Sequence, residues 1–191
     1  MLRMILLLGA VVWAGCGGEV RTYRVAPYLE PGYTCIECSV SLAIRAIAED
    51  TGTPVIEHFA PKAFKDDGFT FRWGVEQRVE LEMERYHTDL EDDRGVRFTF
   101  QRVLETHPVE SGARFTMNFQ DAPPGRYPEN MLVRSGNGFL LQQTERLVCG
   151  SAEVCDQLAA RRPGEMGFAL ELGYPEAEGE PLRLHSVQEL P

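Results

Sequence analysis

"FTFRWGVEQRVELEME", residues 69–84, decides the fold. Its odd positions are Phe69, Phe71, Trp73, Val75, Gln77, Val79, Leu81 and Met83, while its even positions are Thr70, Arg72, Gly74, Glu76, Arg78, Glu80, Glu82 and Glu84. Side chains on a strand point alternately to opposite faces, so a repeat of two over this length predicts a long strand with one buried and one wet face. The polar stretch 88–95, "TDLEDDRG", then turns the chain. "VRFTFQRVLE" alternates again through Val96, Phe98 and Phe100, which predicts an antiparallel hairpin with the first segment.

Further strands follow. "ARFTMNF" puts Phe115, Met117 and Phe119 on one face. "GFLLQQTERLVC", 138–149, reads as one strand with blurred alternation, and "SGNG", 135–138, supplies the small residues of a tight hairpin turn just before it. Met166, Phe168, Leu170 and Leu172 alternate in another strand, and "LRLHSVQ" is the last. Two stretches read as helices. "SVSLAIRAIAEDTG", 39–52, has Leu42, Ile44, Ala46, Ile47 and Ala48 as a broad apolar side, Ser39 or Ser41 as a cap, and Gly52 with Pro54 as a stop. "SAEVCDQLAARRPG", 151–164, opens at Ser151 and closes at Pro163 and Gly164. The expected class is α+β: a mainly antiparallel sheet with two short helices, stapled by disulfides, with a barrel-like meander as its partly closed form.

Composition is that of a folded domain, 43% hydrophobic and 25% charged, with a formal net charge of −10. That acidity disfavours nucleic acid, whose phosphates would be repelled, so no nucleic-acid partner is expected, and it also disfavours docking on anionic lipid by charge alone. Two lysines, Lys62 and Lys65, against seventeen arginines suggest a GC-rich genome.

The chain opens "MLRMILLLGAVVWAGCGG". A positive start, an apolar run from Ile5 to Trp13 and small residues before a cut are the marks of an export signal, and the run is too short to span a bilayer. Cys16 follows Ala14 and Gly15. This boundary resembles the lipobox of bacterial lipoprotein signal peptides, departing from it at Trp13, where an aliphatic residue is usual. The resemblance covers residues 1–16 only. It implies a diacylglyceryl thioether on Cys16, cleavage before it, further acylation with chains such as palmitate, and membrane lipid as the partner. Gly17, in place of an aspartate, points to the outer membrane rather than inner-membrane retention. The expected organisation is a signal peptide over 1–15, the lipidated cysteine with a tether and irregular lead-in over 16–34, and one α+β domain over 35–191. An ordinary secretory signal and an uncleaved N-terminal anchor are the alternatives.

Cys35, Cys38, Cys149 and Cys155 remain, an even number in an exported chain, and read first as two disulfides of open connectivity. "CIEC", 35–38, ahead of an expected helix, also fits a redox pair, with Cys35 as nucleophile and Cys38 as resolving thiol, because a helix N-terminus favours thiolate. A four-cysteine zinc site would need a tighter second pair than Cys-x5-Cys. Ser39 stands where c-type haem attachment needs histidine. His58, His87, His107 and His185 are scattered, no nucleotide or hydrolase motif occurs, and the row Glu76, Glu80, Glu82 and Glu84 reads as a solvated strand face, with arginines such as Arg97 and Arg114 opposite. The expected role is a non-catalytic binding or structural lipoprotein of the cell envelope, facing the periplasm or the cell surface. No cofactor or metal is expected, and an envelope protein is the candidate second partner. The other reading is an envelope thiol–disulfide oxidoreductase.

Overall fold

The computed structural model describes residues 18–32, 41–49, 51, 54–87, 94–119, 131–161 and 167–190. The first half of the chain makes β1 (Glu19–Gly32), β2 (Ser41–Ala48), β3 (Ile56–Phe59), β4 (Val75–His87) and β5 (Arg94–Pro108). These pair antiparallel throughout, in the order β3-β2-β1-β4-β5. The second half makes β6 (Arg114–Phe119), β7 (Leu132–Ser135), β8 (Gly138–Leu141), β9 (Glu145–Cys149), the helix α1 (Ala152–Ala159), β10 (Phe168–Gly173) and β11 (Leu182–Glu189). Their order is β6-β10-β11-β9-β8-β7, antiparallel except for the parallel pair β9–β11. Neither sheet closes on itself, so the barrel-like form gives way to two open sheets sharing one core.

Alternation explains that core. Gln77, Val79, Leu81 and Met83 of β4 are buried, as are Phe115, Met117 and Phe119 of β6, Phe168, Leu170 and Leu172 of β10, and Leu182 and Leu184 of β11. Each fully buried Leu, Met or Phe contributes about 1.5–3 kcal/mol against the entropy of ordering the chain. The β4–β5 hairpin is as expected, pairing from Val75↔Pro108 to His87↔Arg94, with two register shifts that the alternation of β5 does not foretell. Ser135 pairs with Gly138 around Gly136, whose φ is +56°, so "SGNG" is a hairpin turn.

Four expectations are corrected. The helix expected over 39–52 gives way to a strand: its residues 41–48 are β2, with Leu42, Ile44, Ala46 and Ala48 buried on one face and Ala43 buried on the other. A place between β1 and β3 outweighs the helix preference of its alanines, and α1 is the one helix among the described residues. The lead-in within 16–34 is β1, a 14-residue strand at the centre of the first sheet. Pro27 is tolerated because the register of β1 with β2 breaks between Val25 and Leu29. The alternation from Phe69 is not all strand, since β4 begins at Val75 after Gly74 at φ +73°; Phe69 is buried all the same, from the loop. Finally, 138–149 is two strands, β8 and β9, joined by a turn in which Gln142 and Gln143 both have positive φ.

Candidate functional site

The two sheets meet at a seam of aromatic rings. Phe115 of β6 stacks on Tyr28 of β1 at 5.2 Å between centroids and 12° between planes. Trp73, in the loop before β4, lies at 5.8 Å and 29° from Phe115, and Tyr174, just past β10, at 4.7 Å. Phe71 meets Trp73 edge to face. Phe115 is buried, whereas Tyr28, Phe71, Trp73 and Tyr174 are half-buried. Trp73 donates its indole N–H to Glu145 Oε2 of β9 at 2.9 Å, so one polar bond crosses the seam beside the stacked rings. A second crossing is the Leu42 amide donating to Gln142 Oε1 at 2.7 Å.

Local sequence explains how the rings arrive there. Gly74 is required: its amide donates to Pro27 O, its carbonyl accepts from Val109, and its Cα faces the Tyr174 ring, where a Cβ would sit at 3.5 Å. Its left-handed φ swings Trp73 across to the second sheet. Burial pushes the Tyr174 hydroxyl up to about 12, with Tyr28 adding to the shift. The phenol therefore stays protonated and can give or accept a hydrogen bond, but it is no base at neutral pH. Half-exposed rings with one fixed carboxylate can hold a flat apolar face, such as that of an aromatic or a sugar ring.

A second cluster lies on the outer face of the second sheet. Ser186 Oγ donates to Glu171 Oε2 at 3.1 Å, and Arg114 donates to Glu171 Oε1 at 3.3 Å. Those two bonds hold the Glu171 carboxyl below its usual range, while burial, then Arg114, pushes His185 down. The hydroxyl serves the carboxylate rather than the histidine, so this is not a nucleophile activated by a base.

In the glutamate row Glu80 and Glu82 have fixed partners, and Arg78 pairs with glutamates outside the row. Glu80 takes two bonds from Arg102, Glu82 accepts from the Gly18 amide and from Gln101, and Arg78 bridges Glu49 and Glu105. Arg102 holds Glu80 below its ordinary value, and His107 followed by Arg78 does so for Glu105. Solvent screens such exposed pairs, so they order the face more than they stabilise the fold. Arg97 does lie opposite Glu84, but Arg114 belongs to the other sheet. His58 meets Glu30 at 2.7 Å and His107 meets Glu105 at 3.2 Å; neither joins a larger donor set. Among the described residues no three His, Cys, Asp or Glu side chains gather as a metal site, and no helix is long and apolar enough to cross a membrane.

Of the sequence-predicted site residues, Cys149 and Cys155 come together as a disulfide, with Cα atoms 5.5 Å apart. It ties the end of β9 to α1, whose cap is Ser151, accepting from the Val154 amide at 3.3 Å. Cys16, Cys35 and Cys38 lie outside the described residues. Gly32 pairs with Ser41, so residues 33–40 connect two adjacent strands, and the element after "CIEC" is β2. The helix N-terminus invoked to lower a thiol pKa is therefore not supplied by β2. Replacing Cys149 and Cys155 together by serine should lower stability by about 2 kcal/mol, the chain-entropy value for so short a loop, measured by urea denaturation.

The aromatic seam was missed in the sequence because its rings come from four separate segments. Only the odd-position run Phe69–Trp73, an alternation continued through a glycine, signalled part of it. Compared with family models, with curated proteins and with solved structures, the chain finds no match.

Proposed function

We propose that this is a lipid-anchored protein of the bacterial cell envelope, held through acylated Cys16, with a non-catalytic binding role. The observation that carries the reading is the boundary at Cys16: a positive start, a short apolar run, two small residues, then cysteine. The fold supports it from the other side. The first residue with a fixed partner among those described is Gly18, whose amide donates to Glu82 Oε1 at 2.9 Å. Cleavage before Cys16 would leave every described residue of both sheets in the mature chain. Two acyl chains, at about 0.8 kcal/mol per buried methylene, give a stable hold without basic residues, as an acidic chain requires. The half-exposed rings of the seam are the surface best suited to a ligand.

Intact mass of the membrane-fraction protein tests this, beside Cys16→Ala. The expected mass is that of the chain from Cys16 plus acyl groups, with the variant unacylated and released from membranes. A soluble, unmodified native protein would refute the anchor.

A further inference from the structure

Deepening the binding role proposed above, and resting on the seam as its surface, we infer that the ligand is a small, soluble quaternary ammonium ion held between the aromatic rings and Glu145. The anchor at Cys16 plays no part in this.

Geometry supplies the walls. Phe71 and Trp73 stand 84° apart with ring centroids separated by 5.4 Å, so their planes form a corner. Tyr28 and Tyr174 flank Phe115 beside it, at 5.2 and 4.7 Å between centroids. Phe71, Trp73, Tyr28 and Tyr174 each keep part of their surface open to solvent. An aromatic face is electron-rich and attracts a cation within about 6 Å of its centroid, tryptophan most strongly.

Charge selects the ligand. Glu145 accepts the Trp73 indole N–H through Oε2, which holds the carboxylate at the edge of the corner. That donor is neutral, and Glu145 has no ion pair among the described residues. The arginines next to the seam in sequence do not supply one. Arg114 donates to Glu171 on the outer face of the second sheet, Arg146 donates to Gly179 O, and Arg72 is exposed without a bond to Glu145. A half-buried carboxylate beside open ring faces, in a chain of formal net charge −10, is complementary to a positive ligand. An uncharged sugar or aromatic ring would leave that charge without a counterpart.

Chemistry narrows the cation. A metal ion needs several donors, and no three His, Cys, Asp or Glu side chains gather among the described residues. A primary ammonium is a compact, strongly hydrated charge, and ring faces cannot replace the water on its three N–H donors. A fully methylated ammonium has no N–H, spreads its charge over its methyl groups and presents an apolar surface to the rings. The ligand should carry no anion close to its nitrogen, because the seam has no cation to pair with one.

The test uses indole fluorescence. Trp13 and Trp73 are the two tryptophans of the chain, so Trp13→Phe in the full protein, in a polyoxyethylene detergent, leaves Trp73 as the one indole. Titration with tetramethylammonium and with choline, at constant ionic strength, should give a saturable change. Neohexyl alcohol, in which carbon replaces the nitrogen of choline, should bind about tenfold more weakly. Glycine betaine, with a carboxylate beside its ammonium, should also bind more weakly than choline. Glu145→Gln keeps an acceptor for the indole N–H, and Phe71→Leu keeps an apolar side chain; each should weaken choline several-fold. Saturation by neither cation, or equal binding of the neutral alcohol, would overturn the ammonium site and leave the anchor, read separately by intact mass, untouched. Betaine binding as tightly as choline would overturn the part assigned to Glu145. Choline affinity unchanged in either variant would overturn the placement at the seam.

Discussion

Gly138→Ala should destabilise the protein by about 3 kcal/mol or more, the largest effect expected of any single methyl group here. Gly138 opens β8 and pairs with Val148 of β9. A Cβ built there would collide with Leu147 O and would sit 3.0 Å from Leu147 C and 3.3 Å from the Val148 Cα. All three atoms are backbone, so no side-chain rotation relieves the contact. Relief requires β8 to move away from β9, and both are tied down. Phe139 and Leu141 beside it are buried, Leu147 is 2% exposed, and Cys149 carries the disulfide to α1. Urea denaturation should therefore show a lower midpoint with an unchanged slope. Gly136→Ala is the control. Gly136 has no atom within 4 Å of its Cβ position, so its cost is that of a left-handed φ alone, about 1–2 kcal/mol. Equal losses for the two variants would refute the role assigned to the close approach.

The same glycine shows how much of the fold could be read beforehand. "SGNG" announced a turn because its residue types accept positive φ, and the turn is there. The turn at Gln142 and Gln143 was invisible, since glutamine carries no such signal and the conformation is held by tertiary bonds, Gln142 N to Met131 O and Leu42 N to Gln142 Oε1. Strand β4 was legible because one of its faces is wet, which keeps polar residues in alternate places. Strand β2 was not: it has neighbours on both sides, and apolar Ala43 and Ile47 on its second face blur the alternation of Leu42, Ile44, Ala46 and Ala48, so that the alanines imitate a helix. Strand β1 was hidden by two prolines, one at a register break and one near its end. The local disulfide could be named only as one of three pairings. Its partners became definite once α1 brought Cys155 back to the end of β9.

Phe115→Ala should cost about 3–4 kcal/mol, and it is the substitution that reports on the seam. The ring is 7% exposed and touches Tyr28, Trp73 and Tyr174, so its loss removes three aromatic contacts and the stack joining the two sheets. Denaturation gives the magnitude, and tyrosine titration at 295 nm tests the cause. In the native protein, burial raises the Tyr174 hydroxyl to about 12, from an ordinary value near 10. Between those values the folded chain holds a proton that the unfolded chain has released, so stability must fall as pH rises through that window. Below pH 10 both states are protonated and this group contributes no slope. Opening the space beside Tyr174 should return its titration toward 10 and flatten the alkaline loss of stability. Phe115→Leu, which keeps the seam filled but removes the stacking ring, should lie between alanine and the native residue in both measurements. If Phe115→Ala lowered stability but left the tyrosine titration unmoved, Tyr174 would owe its shift to other neighbours, and Phe115 would not be the ring that closes the seam.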